Sequence, residues 1–432
     1  MKKILIVSVG GSPQPVVNAV LNHKPDFVYF FCSKGSKGSA KTIDGPGEVC
    51  GDTRTVTCPD CGSNVFVGDP KGKSISVQTS LSESQYEILV VEDPDDLTEC
   101  YRKLTELNEK IVLKYGDDCK VIANYTGGTK TMSVAMAMAA VMTEKWDLAV
   151  NKGPRPDLIK VKDGDTPVII DKWGIYCRNQ MNLVMESIGN FDYAFAEKAL
   201  MEMLGKPIEK ALQTQLIEMK VICQAFDSWD KFDHKRALNL ISNYGDRYSR
   251  YLVALKRILG KFRDSSGYEM VGDLLNNAGR RAHRGYYDDA VARIYRAVEL
   301  FAQTRLRKEY GLDTAEMGLD DIPECIRSDY ENRVRENGRI LLGLKDDYML
   351  LYKLEDQIGR AYKAVETKFV DALTRRNKSI GAHGIIPLDR DDYVFVNDTL
   401  GGFIASTAGE SNIDIKVPQL PQDAEVWIKG HS

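Results

Sequence analysis

The stretch CKVIANYTGGTKTMSVAMAMAAVM, Cys119–Met142, decides how the first part of the chain is read. CKVIANY is an apolar run of strand length, and KTMSVAMAMAAVM is apolar all round, as in a buried helix. Its methionines read as core, not as a cofactor site. Between the two lie Thr126, Gly127, Gly128, Thr129 and Lys130. Glycine lets a backbone approach a ligand closely. The free N–H groups and dipole at a helix start favour an anion, and Lys130 adds a cation. The plainer alternative is a tight strand-to-helix turn.

Outward from this stretch the same pattern repeats. KILIVSVG (3–10), DFVYFFCS (26–33) and EILVVED (87–93) read as strands. SPQPVVNAVLNH (12–23) reads as a helix opened by Ser12, and DDLTECYRKLTELNEKIVLKYG (95–116) as a helix with an acidic first turn. DLAVNKG (147–153) and TPVIID (166–171) read as closing strands. Near-continuous apolar strands alternating with helices predict a mostly parallel sheet covered on both faces, over residues 1–175. Residues 34–80, rich in Gly, Ser, Lys and Thr, break the pattern as an insertion or long loop.

From about residue 176 the strands stop, and helices are predicted to about residue 410, with an extended tail over 411–432. In DDAVARIYRAVELFAQTRLRKEYG (288–311), Ala290, Ile294, Val298 and Phe301 recur at helical spacing, and Gly311 ends the helix. LLYKLEDQIGRAYKAVETKFVDALTRRNKSIGAHG (350–384) reads as one long helix with Leu354, Ile358, Ala361, Val365, Phe369 and Leu373 on one face. The fold class is therefore α/β plus all-α.

Composition limits the function. A chain of 432 residues with net charge −4 is no polycation, so any nucleic acid is handled at a local site. MKKILIVSVGG reaches glycine too early for a secretion signal, and no apolar run approaches the length of a membrane span. The nine cysteines then read as reduced thiols of a cytoplasmic protein. Cys58 and Cys61 of TCPDCGS, with Cys50, form at most an incomplete structural zinc site. Neither the Walker A loop nor G-x-G-x-x-G is present, which removes the main support for ATP hydrolysis and NAD chemistry.

Two sites follow. In an open parallel sheet, ligands bind beyond the carboxyl ends of the strands. There lie Gly11, Ser12 and Gln14 after the first strand, Ser33 after the second, and the turn Thr126–Lys130. The second site is RRNKSIGAHG (375–384). Arg376 continues the face of Phe369 and Leu373, and His383 follows seven residues later. The pair suits RNA cleavage, in which the ribose 2′-OH attacks its own phosphate. Arg376 stabilises the phosphorane, His383 protonates the leaving oxygen, and Asn377 orients phosphate or imidazole, with no metal required. On a straight helix the pair stands about 10 Å apart along the axis. Either a glycine bend closes that gap or two chains pool their residues. The plainer alternative is a helix end capped by basic residues and glycine. GRRAHRG (279–285) reads as a solvated helix junction, with an RNA-contacting patch or the catalytic cluster itself as alternatives.

Taken together, GGS after the first strand, TGGTK after a later one, and RRNKSIGAHG closing a helical half resemble the CARF–HEPN proteins of type III CRISPR systems. The resemblance implies a Rossmann-like CARF domain that senses a cyclic oligoadenylate. It also implies a helical HEPN domain that is a metal-independent ribonuclease acting on single-stranded RNA, and a homodimer that completes both sites. Arg376, Asn377 and His383 match the HEPN motif, and Gly127, Gly128, Thr129 and Lys130 the CARF loop. Other outcomes of the resemblance are a helical half that only dimerises or recruits a partner, and a CARF site that degrades its own ligand, with Thr129 and Lys130 the residues to test.

Overall fold

The structure is a computed structural model that describes residues 1–34, 38–44, 55–57, 59, 61–66, 73–116, 118–153, 165–245, 247–340, 342–377 and 384–422. The chain divides into two compact units, Met1–Asn179 and Gln180–Ser432.

The first unit is built on a six-stranded sheet. Its strands are β1 (Lys2–Ser8), β2 (Phe27–Ser33), β5 (Tyr86–Val91), β6 (Cys119–Asn124), β7 (Trp146–Lys152) and β8 (Thr166–Ile170), in the order β5-β2-β1-β6-β7-β8. All pairs are parallel except β7 with β8. Ile4 to Val7 of β1 and Val28 to Cys32 of β2 are buried without alternation, because helices cover both faces. One face packs on α1 (Gln14–His23). The other packs on α4 (Leu97–Tyr115) and α5 (Lys130–Met142). Helix α4 starts where the Asp96 carboxylate accepts from the Thr98 and Glu99 N–H groups. Helix α1 begins at Gln14, not at Ser12. Pro13 is its N-cap, and no side chain caps it. Within 34–80, the described residues form short helices α2 (Lys41–Asp44) and α3 (Ile75–Thr79) and a hairpin of β3 (Thr55–Thr57) with β4 (Asn64–Phe66).

Helix α5 is fixed at both ends. Thr129 caps its start, its hydroxyl accepting from the Met132 N–H at 3.1 Å. At the other end the buried Lys172 ammonium donates to the carbonyls of Ala140, Thr143 and Glu144 at 2.8, 2.6 and 3.1 Å. A cation there also complements the helix dipole.

Helix α6 (Trp173–Gly189) leads into the second unit. There follow α7 (Tyr193–Leu204), α8 (Lys210–Asp230), α9 (His234–Ile241), α10 (Ser249–Ile258), α11 (Glu269–His283), α12 (Tyr287–Tyr310), α13 (Glu324–Arg327), α14 (Leu344–Lys353), α15 (Gln357–Asn377), α16 (Arg390–Val396) and α17 (Gly402–Glu410). The core gathers on α12, whose Ala290, Ile294, Val298 and Phe301 are fully buried; Gly311 ends it in the left-handed region.

The single helix expected over 350–384 is two. The chain turns between α14 and α15 at Leu354–Asp356. Glu355 takes a φ of 56°, the Asp356 carboxylate accepts from the Ile358 N–H at 2.8 Å, and a Cβ on Gly359 would strike the Tyr352 backbone. The buried face of α15 is consequently Ile358, Tyr362, Phe369, Ala372 and Leu373, while Val365 is exposed. The GRRAHRG junction is only partly solvated: His283 and Gly285 are exposed, but two of its arginines are tied into the fold. Arg280 is 1% exposed and bonds Asp230 at 2.7 Å and Gln419 at 2.6 Å, and Arg281 bonds the second oxygen of Asp230. Gln419 belongs to a terminal strap. Its neighbours Asp414 and Val417 offer carbonyls to Ser266 and Asn276, and Ile415 lies where any side chain on Gly272 would go.

Candidate functional sites

From β1 the chain runs outward to β2 and β5, then returns to place β6 on the other side of β1. The carboxyl ends of β1 and β6 thus form the switch point at which such sheets take ligands. Their two loops interlock. A Cβ on Gly10 would lie 2.9 Å from the Gly128 nitrogen, and one on Gly127 would strike the Ser8 carbonyl. Gly128 has φ +83°, which favours glycine. The Ser8 hydroxyl closes the joint, donating to the Gly127 carbonyl at 2.7 Å.

Below the loops lies a polar net that the sequence reading did not single out. Asn124 and Asn151 are both buried, and the Asn124 side-chain N–H donates to the Asn151 side-chain oxygen at 2.8 Å. Asn151 also donates to the Pro15 carbonyl at 2.8 Å and to Asp165 at 2.6 Å, and Asp165 accepts from Asn18. The Thr126 hydroxyl donates to the Asn124 side-chain oxygen at 2.6 Å and accepts from the Asn151 N–H at 2.8 Å. The available signal was an asparagine at the end of each of two apolar strands.

The residues proposed for this site now divide by what they already bond. Thr126 sits in the net. Thr129 caps α5, and its hydroxyl donates to the Pro94 carbonyl at 2.7 Å. Ser33 exchanges bonds with Ser39, nitrogen to hydroxyl in both directions, at 3.2 and 3.1 Å. Gln14 donates to Asn18 at 2.9 Å. Gly127 and Gly128 supply the backbone of the platform. Gly11, Ser12 and Lys130 are exposed, and among the described residues Lys130 has no ion pair. It stands at the first position of α5.

The second site lies at the end of α15. Arg376 is half-buried, its guanidinium 4.4 Å from the ring centre of Tyr295 on α12. Among the described residues its buried Nε has no hydrogen-bond partner, and its Nη1 reaches the Asn377 oxygen at 3.4 Å. Arg375, next to it, is differently placed: it pairs with Asp392 at 2.7 Å and lies over Phe395 at 4.1 Å. Burial raises the Tyr295 phenol above its ordinary value and Glu299 adds to the rise, while Arg376 opposes it. Asn377 is exposed. His383 lies outside the described residues, as do Cys50 and Cys58; Cys61 is exposed, its thiol beside the Ser63 hydroxyl. Among the described residues no group of three His, Cys, Asp or Glu side chains could hold a metal ion.

A pair of interlocked glycine loops at the switch point of a parallel sheet, followed by a helical unit in which Arg376 has no ion pair among the described residues, defines a two-part class: an α/β domain followed by an all-α domain. The Csm6 HEPN domain family matches residues 260–406. The chain shares its fold with Enterococcus italicus Csm6 bound to cyclic hexa-2′-fluoro-hexa-dAMP, at TM-score 0.57 and 14% identity, covering 95% of this chain and 94% of that one. No curated protein matches it. Residues 260–406 are thus similar to the Csm6 HEPN domain, and the chain shares the fold of that Csm6 over nearly its whole length.

Proposed function

We propose that the chain is a ribonuclease of the CARF–HEPN type, switched on by a cyclic oligoadenylate in antiviral defence in the cytoplasm. Arg376 carries the reading. It lies within the matched HEPN segment, ends a buried helix face, and rests on a ring instead of in an ion pair. A guanidinium without a carboxylate partner is available to a phosphate.

The ring would lie on the switch-point platform, its phosphates met by Lys130 and the first N–H groups of α5. The relative in Enterococcus italicus is bound to such a ring. Thr129 is otherwise engaged, so the platform favours holding a ligand over breaking it. A homodimer supplies two copies of Lys130 to one ring and two motifs to one RNA. The ring must bind the cleaving form more tightly than the resting form if it is to shift the balance.

In the reaction, the 2′-oxygen of single-stranded RNA attacks the adjacent phosphorus while the bond to the 5′-oxygen breaks. Arg376 stabilises the phosphorane charge, and His383 gives the leaving oxygen its proton. The products are a 2′,3′-cyclic phosphate and a 5′-hydroxyl, and no metal enters. The test is RNA cleavage in chelator, with cyclic tetra-adenylate and cyclic hexa-adenylate added separately, for wild type and His383→Ala. Cleavage with one ring, absent in a variant that still binds that ring, is expected. No cleavage by folded, dimeric wild type with either ring would leave the helical domain as a dimerising or recruiting module.

A further inference from the structure

Two adjacent arginines end α15, and the fold treats them differently. Arg375 gives its N–H groups to the Asp392 carboxylate at 2.7 Å and lies over Phe395 at 4.1 Å. Arg376 has an aromatic face and, among the described residues, no acid. Its guanidinium carbon stands 4.4 Å from the centre of the Tyr295 ring. Its Nε is buried, so the side chain lies against the protein and does not swing in solvent.

The difference matters for a cation that has to meet a phosphate. A carboxylate takes up the guanidinium N–H groups and cancels the charge. An aromatic face attracts the guanidinium through its quadrupole and leaves the charge and the N–H groups in place. Such a face can fix where the cation stands without using what a phosphorane needs from it. Tyr295 is itself firmly mounted. It stands on α12, beside Ile294, Ala297 and Val298, all fully buried. The chain meets the same helix again past the motif, where the Leu388 N–H donates to the Asp288 carboxylate at 3.1 Å. Helix α12 is therefore the frame against which the end of α15 is set.

We propose that Tyr295 positions Arg376: its ring face holds the guanidinium where it can reach the scissile phosphate, and holds it without neutralising it. Tyr295 acts through the arginine and not on the reacting atoms, so it is a positioning residue, and the proposal rests on the ribonuclease reading.

The test compares kcat and KM for RNA cleavage by the full chain at saturating cyclic oligoadenylate, for wild type, Tyr295→Phe and Tyr295→Met. Phenylalanine keeps the face, and kcat is expected within about twofold of wild type. Methionine fills the space without a face, and kcat is expected to fall about tenfold with KM unchanged. In an Arg376→Ala background Tyr295→Met should cost nothing more, because the two residues act as one unit. An unchanged kcat in Tyr295→Met, an equal loss in Tyr295→Phe, or full additivity in the double variant overturns the proposal. Should Tyr295→Met fail to fold, Tyr295→Leu takes its place with the same expectations. Magnetic resonance of the chain carrying isotope-labelled arginine gives a readout that needs no cleavage. The Arg376 side-chain signals, identified by their loss in Arg376→Ala, should lie upfield in wild type and Tyr295→Phe, as protons above an aromatic face do, and return to the ordinary arginine position in Tyr295→Met. If wild type cuts nothing with either cyclic oligoadenylate, the ribonuclease reading fails and these signals decide alone. Upfield signals that Tyr295→Met abolishes support the hold of Tyr295 on Arg376, and ordinary signals in wild type remove it.

Discussion

At the turn after β6 nearly every polar side chain is bonded to the protein itself, whereas at the end of α15 the Nε of Arg376 is buried without a partner and Asn377 is exposed. The turn is held by backbone-to-backbone packing of two glycine loops, with Thr126 and Thr129 fixed beneath and beside it. What it offers a ligand is shape, amide groups and Lys130. The end of α15 offers a charge resting on a ring. A platform that must hold one shape is best built from satisfied groups, whereas a group that must meet charge developing in a transition state has to keep bonding capacity in reserve.

Substitutions can break that contrast. The largest effect is expected from Arg376→Ala, which removes the phosphorane's cation. Cleavage should fall by about 10²-fold or more, with ring binding unchanged by calorimetry. Gly127→Ala comes next. Its methyl would enter the Ser8 carbonyl, and forced overpacking typically costs about 1–3 kcal/mol. Its ring affinity should drop with its melting temperature, whereas Gly11→Ala, with nothing near its Cβ, should leave the melting temperature unchanged.

Lys130→Met tests the platform without disturbing its backbone. One charge-assisted contact per protomer is worth about 1.5–3 kcal/mol, so the ring should bind at least about tenfold more weakly. Cleavage should recover at saturating ring. The last effect is on stability, away from both sites: burial pushes up the carboxyl of Asp347 on α14. Asp347 ionises near 3.8 when unfolded and near 7 when folded, so between those values the folded chain holds the extra proton. Stability therefore falls as pH rises through that window and levels above it. Asp347→Asn escapes this loss, and its melting temperature should exceed wild type by several degrees at about pH 8 and by little at about pH 4. An equal difference at both pH values would show that Asp347 does not carry a proton in the fold.

Much of the architecture was legible because apolar strands and helices carry their period in adjacent residues. β1, β2 and α12 are local patterns, and the glycine turn was visible as a turn. What the sequence hid depends on partners far along the chain. Arg280 reads as a surface cation until Asp230, fifty residues earlier, is seen beside it. Ser33, Thr126 and Thr129 read as free hydroxyl donors to a ligand, and only the fold shows them already bonded to Ser39, Asn124 and Pro94. The break between α14 and α15 turns on Glu355 in a left-handed conformation that no glycine announces. The end of α15 was legible in its residue types, but the ring under Arg376 comes from α12, eighty-one positions earlier.

The measurement that bears most directly on the account pairs ring binding with RNA cleavage in the same preparations of wild type, Lys130→Met and Arg376→Ala. The account predicts that Lys130→Met binds the ring weakly and cuts once the ring saturates it, and that Arg376→Ala binds the ring as wild type does and does not cut. Cleavage retained by Arg376→Ala, or lost in Lys130→Met even at saturation, would contradict it.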